Sequence, residues 1–158
     1  MRRITLTILA LACAGLLMAP AAQAASYHFT GKTSQNGIFE MLLPTSLKKT
    51  AMHFTYQVTC ASGLAFPDEQ TVTVRNTAVF KRGHRISRLK FDASGALPVS
   101  ATAPSGATVT GTATIHVAGK IRLDTGNANG RIESDITLSN GDKCTSGLSP
   151  VTWIASVD

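Results

Sequence analysis

The sequence predicts an all-β domain, built as a single antiparallel β-sandwich, with a β-barrel as the alternative. Several stretches alternate apolar and polar residues, glycine-containing turn signals separate them, and no stretch has convincing helical periodicity. Two cysteines add a constraint, because a disulfide between an early and a late strand can tie two sheets together. The sandwich is preferred for that reason, and the barrel stays open.

The first 24 residues predict a cleavable export signal. Two arginines follow the initiating methionine, residues 4–18 are mainly apolar, and small residues precede the expected cleavage site after Ala24. The apolar stretch is shorter than the roughly 20 residues that a membrane-spanning helix needs. A lipid anchor on Cys13 is the competing interpretation, but Ala10 stands where a lipoprotein signal normally carries a larger aliphatic residue.

The mature chain, residues 25–158, is expected to form one β domain without a transmembrane segment. It keeps thirteen of the fifteen Lys and Arg residues and all nine Asp and Glu residues, a formal net charge of +4 against +6 for the whole chain. Its length is that of an ordinary single domain with a core of its own. We expect it in the periplasm or outside the cell.

The best-patterned strand leads to Cys60. Its alternation is typical of a half-buried strand with one face toward the core. The inward set is Met52, Phe54, Tyr56, Val58 and Cys60, and the outward set is His53, Thr55, Gln57 and Thr59. Tyr27 is expected to point inward as well. Removing the signal leaves two cysteines, so the simplest expectation is a structural disulfide between Cys60 and Cys144.

Later stretches predict further strands. Residues 96–107 carry two prolines and predict a mobile loop, after which residues 108–117 alternate small or apolar residues with threonines and a histidine. Residues 130–138 alternate as well and end before an Asn-Gly turn signal. The inward set is Ile132, Ser134, Ile136 and Leu138, and the outward set is Arg131, Glu133, Asp135 and Thr137. A closing strand over residues 151–157 is expected to bury Trp153, the only tryptophan.

Both ends of the mature chain carry short motifs. These are Gly31-Lys32-Thr33-Ser34-Gln35 near the start and Cys144-Thr145-Ser146-Gly147 with Trp153-Ile154-Ala155 near the end. Together with Cys60, they resemble a family of small exported bacterial proteins that have a G-K-T-S-Q-like start and a C-x-[ST]-G…W-x-A ending. The resemblance implies a β-sandwich with a disulfide and implies no activity. Leu148 and Ser149 are extra residues relative to that ending, which leaves the strand register there open.

The segment Leu123-Asp124-Thr125-Gly126 has the pattern of an aspartic protease loop. That chemistry needs two carboxylates that share a proton, which a chain with one copy supplies only by dimerising. Asn127 follows where such enzymes carry a small residue, and no supporting apolar-apolar-Gly segment comes later. We therefore interpret the segment as a hairpin turn.

The four histidines are the candidate metal ligands. They are His28, His53, His84 and His116, and their spacing contains no H-x-H or H-x-x-x-H pair that would present two ligands from one strand or turn. We interpret them as solvated side chains and expect neither a metal nor another cofactor. The sequence also lacks a G-x-S-x-G nucleophile elbow, a phosphate loop and a specific nucleic-acid motif.

A basic cluster is the feature that points most directly to a partner. Its members are Lys81, Arg82, His84, Arg85, Arg88 and Lys90, with no acidic residue between Glu69 and Asp92. On a hairpin with its tip at Arg82-Gly83, these charges would meet an anionic partner such as lipopolysaccharide, teichoic acid or another envelope polymer, nucleic acid, or an acidic protein. The alternative is a solvated strand face that prevents edge-to-edge pairing.

The sequence therefore predicts a non-enzymatic binding or structural module of the cell envelope or extracellular space. A secreted inhibitor of a hydrolase is the alternative, because it would share the small disulfide-closed scaffold and add a rigid protruding loop. An enzyme without a recognisable motif comes third. We expect no catalytic residue, and the partner is unknown.

Overall fold

The computed structural model of the chain describes residues 26–82, 85–102, 106–147 and 149–158. The predicted signal peptide lies outside these residues. The described part consists of ten antiparallel strands and their connections: β1 Ser26–Thr33, β2 Ile38–Pro44, β3 Lys49–Cys60, β4 Ala65–Arg75, β5 Thr77–Arg82, β6 Arg85–Thr102, β7 Thr108–Arg122, β8 Asn127–Leu138, β9 Lys143–Thr145 and β10 Val151–Val157. Within this part, no helix is long and apolar enough to cross a membrane.

Six strands close into a ring of hydrogen-bonded neighbours. The order is β10, β1, β2, β3, β9, β8 and back to β10. The ring closes because β10 pairs with both β1 and β8. β4 adds to β3, while β7, β6 and β5 extend the sheet beyond β8. The molecule is therefore a six-strand barrel with extra strands on both sides.

The all-β class and the disulfide are confirmed, and the architecture is the barrel rather than the preferred sandwich. A sandwich was expected because a disulfide between distant strands can link two sheets. Instead, β9 is a hydrogen-bonded neighbour of β3, and Cys60 lies directly opposite Cys144. The bond thus joins adjacent strands of one continuous sheet, although 84 positions separate the two cysteines in sequence.

The four predicted strands are present as β3, β7, β8 and β10. The prediction of a mobile loop over residues 96–107 is wrong for residues 96–102, which belong to β6, while β7 begins at Thr108. Residues 103–105 lie outside the described part. Pro98 is tolerated because this half of β6 has a neighbour on one side only, and edge strands accept residues that lack an N–H group.

One face of the continuous sheet forms the core. Phe54, Tyr56 and Trp153 are buried as predicted, along with alternate residues of the other strands. Tyr27 is the exception, because it lies near the start of β1 and its surface is 41% exposed. The alternation of apolar and polar residues thus identified the buried face correctly in strands whose inner face is packed along its whole length.

Trp153 organises the packing between the barrel and the extra strands. Its ring stacks on Phe39 of β2, with centroids 4.1 Å apart, and lies parallel to Phe91 of β6 at 6.1 Å. Two residues without side chains, Gly119 of β7 and Gly130 of β8, leave room for the indole between them.

Candidate functional site: a cationic groove on the outer face

The structure divides the predicted basic cluster between two paired strands. Strands β5 and β6 are antiparallel, with Arg82 opposite Arg85, so the chain reverses between them as predicted. His84 lies outside the described residues, as do the side chains of Lys81, Arg82 and Arg85. The cluster members whose side chains the structure describes are Arg88 and Lys90.

Arg88 and Lys90 lie exposed on the outer face of β6, beside basic residues of the next strand. Arg122 of β7 is opposite Arg88, and Lys120 is opposite Lys90. Directly opposed residues of an antiparallel pair have Cβ atoms about 5 Å apart. Two strands therefore place four cationic side chains in one small area of the surface.

A groove of about 410 Å³ lies beside these residues. Its floor is low because Ala118, the outward-facing residue there, carries only a methyl group, and Gly119 and Gly130 also line it. The polar and charged residues around this floor are Arg75, Thr77, Lys90, Asp92, Lys120, Asn129 and Arg131. They come from β4, β5, β6, β7 and β8, so the register of these strands creates the site. We call this feature the cationic groove.

Asp92 is the single carboxylate among the described residues that line the cationic groove. Its hydrogen bond to His116, 2.8 Å between Nε2 and Oδ1, lowers the pKa of its carboxyl. The positive charges of Arg131 and Lys90 act in the same direction. Arg131 also contacts Glu133, with 3.4 Å from Nε to Oε1. Four cationic groups thus face one carboxylate that already has a partner, and the groove has an excess of positive charge.

A row of outward residues leads from the cationic groove across the outside of the barrel to a further lysine, Lys32, through the neutral Asn129 and Ile154. Lys120 lies opposite Asn129, and Asn129 lies opposite Ile154. Ile154 in turn lies opposite Lys32 of β1. Measured from Lys90, this row crosses four strand spacings of about 4.8 Å, a length of roughly 19 Å. A second groove, of about 490 Å³, occupies the Lys32 end and shares Asn129 with the cationic groove.

The described histidines are half-buried or exposed and each contacts carboxylates. His28 Nδ1 is 2.7 Å from Asp158 Oδ2, and His53 Nε2 is 2.8 Å from Glu69 Oε1. His116 bonds the carboxylate in the cationic groove, and this hydrogen bond raises the pKa of its imidazole. The three histidines lie on different strands, β1, β3 and β7, and each contacts a different carboxylate.

One group of three metal-ligand residues occurs in the described part of the chain: Cys60, Asp142 and Cys144. Both cysteine sulfurs are bonded to each other, so neither is available as a thiolate ligand. Asp142 instead accepts a hydrogen bond from the backbone N–H of Ser62. This group fits a structural role beside the disulfide.

A buried polar network links β3, β4 and β8. Tyr56 donates its hydroxyl hydrogen to Asp68 Oδ2 at 2.6 Å, and Ser134 Oγ lies 3.0 Å from the same hydroxyl. Gln70 Nε2 is 3.0 Å from both oxygens of Asp68. Burial, reinforced by the bond to Asp68, raises the pKa of Tyr56, so its hydroxyl stays protonated. The network satisfies buried polar groups, and it holds three strands together.

The predicted turn around Asp124 is present. Asp124 is exposed in the connection between β7 and β8, and Gly126 adopts a φ of 66°, in the left-handed region that favours glycine. The Gly126 carbonyl accepts a hydrogen bond from the backbone N–H of Val157, which ties the turn to the last strand. The residue pattern therefore has a conformational explanation.

Sequence reasoning identified Lys90 in the cationic groove and missed the cations that other strands contribute. Arg75, Lys120 and Arg131 lie outside the predicted cluster and reach the groove through strand pairing. A usable signal was present for Arg131, which alternation already placed on the outward face of its strand. Comparing outward positions among strands is the step that would have found the others.

Comparison of the chain with protein-family models, with curated proteins and with solved structures found no match. The suspected family therefore stays a prediction. Functional inference depends on the cationic groove and the residues around it.

Proposed function

We propose that this chain is a non-enzymatic, exported binding module that holds an anionic ligand in its cationic groove. The observation that carries the proposal is the convergence of Arg75, Lys90, Lys120 and Arg131, from four strands, around a floor of small residues. Like charges directly opposite each other destabilise a β pair, and Lys90 and Lys120 are such a pair. An anionic ligand turns this repulsion into attraction.

The row of outer-face residues favours an extended ligand with several anionic groups. Lys32 and Lys90 mark its ends, roughly 19 Å apart. Lysine ammonium groups act as point charges and accept anions of differing geometry. Asn129 at the centre supplies both a donor and an acceptor for neutral polar groups. An acidic envelope polymer matches this combination.

The same row argues against single-stranded nucleic acid. Proteins that bind single strands combine basic grooves with aromatic side chains on which bases stack. The outward residues of the row, from Lys90 through Asn129 to Lys32, include no aromatic side chain.

The proposal is tested by binding of heparin and polyphosphate to the mature protein at low and high salt. We expect binding that weakens as salt rises, because neutralising several anionic groups releases counterions. Replacing Lys90, Lys120 and Arg131 by Ser should weaken binding about tenfold or more, at up to about 1 kcal/mol for each exposed ion pair.

A matched control separates the groove from net charge. Lys120→Ser and Lys143→Ser each remove one exposed lysine, but Lys143 lies on β9 opposite Thr137, six positions along β8 from Arg131. Only Lys120→Ser should weaken binding and reduce its salt dependence. Absence of binding to both probes, or equal losses from the two variants, would contradict the proposed site.

A further inference from the structure

Two strand edges face each other without pairing. β4 pairs with β3 alone, and β6 loses its β5 neighbour after Lys90, which lies opposite Thr77. The rest of β6, from Phe91 to Thr102, pairs only with β7. β4 lies against β6, yet no backbone ladder joins them in the described part of the chain. We call this boundary the seam.

The seam contains an apolar slot of about 200 Å³. Its apolar lining is Val72, Val74, Ala93, Leu97, Ile115 and Val117, all on the inner face of the sheet. Ile115 and Val117 are buried, so the slot reaches core residues. The remaining lining consists of Gly95 and small hydroxyl-bearing side chains. The mainly apolar lining of the slot fits a hydrocarbon chain.

The inner face is incompletely covered at this slot. Val72 of β4 and Ala93 and Leu97 of β6 are partly exposed, although most other inner-face residues of these two strands are buried. Gly95, also at an inner-face position, is exposed, and a Cβ built on it meets no atom within 4 Å. The slot is therefore a gap in the packing on the inner face of the sheet, with unoccupied space beside Gly95.

The slot adjoins the cationic groove at two places. Val74 lines the slot, and the next residue, Arg75, lines the groove. Ala93 lines the slot, and its neighbour Asp92 lines the groove. The slot lies on the inner face and the groove on the outer face, so a ligand with an anionic head and a hydrocarbon chain contacts both by crossing the unpaired seam between β4 and β6.

We infer that the anionic ligand is an amphiphile whose acyl or alkyl chain enters the seam while its head group lies in the cationic groove. This inference rests on the proposed function and names its ligand class. The charge of the groove selects an anionic head, and the apolar slot beside it selects a chain. A purely polar polyanion would leave the slot empty, and a neutral hydrocarbon would leave the cations unpaired.

The test is a calorimetric titration of the mature protein with butyl, octyl and dodecyl phosphate, each below the concentration at which it forms micelles. Burying a methylene contributes about 0.8 kcal/mol, so affinity should rise roughly fourfold per methylene until the slot is full. Affinity independent of chain length would overturn the inference, and would instead point to a polar ligand or to a peptide at the strand edges.

Gly95→Leu is the matching variant because it fills the slot. Its φ lies outside the left-handed region, and a Cβ at this position meets no atom within 4 Å, so the substitution introduces neither backbone strain nor a collision at Cβ. The chain-length dependence should disappear while heparin binding persists. Ala96→Leu places the same side chain on the outer face of the same strand and should leave both unchanged. Equal effects of the two variants would contradict the proposal that the slot binds the hydrocarbon chain.

Heparin binding and the alkyl phosphate titrations together separate the proposed anion-binding function from the proposed amphiphile. If heparin binds and alkyl phosphates show no dependence on chain length, the amphiphile is excluded and the anionic groove stands. If neither heparin nor any alkyl phosphate binds, the proposed function fails together with the inference drawn from it. The chain-length series on the unmodified protein decides the question even if a variant fails to fold.

Discussion

Three glycines at inner-face positions allow a controlled test of the packing around Trp153. A Cβ on Gly119 would lie 2.5 Å from Phe91 Cζ and 2.6 Å from Trp153 Cζ2, both at ring edges. A Cβ on Gly130 would lie 2.1 Å from the backbone oxygen of Ala118 and 2.5 Å from Trp153 Cζ2. Alanine at either position therefore collides with its surroundings, and at Gly130 the backbone itself must move.

The third glycine provides the control, because Gly95 has open space on its inner side. Overpacking a core typically costs about 1–3 kcal/mol, which we expect for Gly119→Ala. Gly130→Ala should reach or exceed the upper end, since a carbonyl oxygen cannot rotate away as a ring edge can. Gly95→Ala should stabilise the protein by about 0.4–1 kcal/mol, because alanine reduces the conformational freedom of the unfolded chain.

Urea denaturation of the three variants, followed by the fluorescence of the buried tryptophan, measures these differences in the free energy of unfolding. Phe91→Leu removes the atom closest to the new methyl group at position 119, so adding it to Gly119→Ala should recover part of the loss. Equal destabilisation by all three alanines would refute the reasoning, since it would show a general effect of replacing glycine in a strand rather than a local collision.

Replacing both cysteines of the disulfide by alanine should destabilise the protein by up to about 4.5 kcal/mol, from the chain-entropy model with 84 residues between them, as denaturant unfolding will show. Tyr56→Phe should cost about 1.5–3 kcal/mol, because the buried Asp68 loses a donor, whereas Tyr27→Phe at an exposed position should cost little. NMR titration should place the pKa of His116 above 6.5, and Asp92→Asn should lower it. Since folding raises this pKa, the contribution to stability is present at acidic pH and is lost as pH rises through the raised value.

Local alternation was sufficient to predict the strands that are covered along their length. Residues 52–60 gave the correct inward set because successive side chains of a strand point to opposite faces. Closure of the sheet was not predictable in this way, since it depends on β10 pairing with both β1 and β8. The two cysteines did not distinguish a barrel from a sandwich either. A disulfide between positions far apart in sequence fits neighbouring strands of one sheet as well as two facing sheets.

The cationic groove depends on register, which explains why only part of it was predicted. Arg88 and Lys90 lie close in sequence and were found as a cluster, whereas Lys120 and Arg131 meet Lys90 only through the pairing of β6, β7 and β8. A slip of one residue would turn Lys120 toward the core and Ile121 toward solvent. The apolar residues that fill the core therefore also place the cations on the outer face, so a change in packing that shifts the register would abolish the site without touching any residue in it.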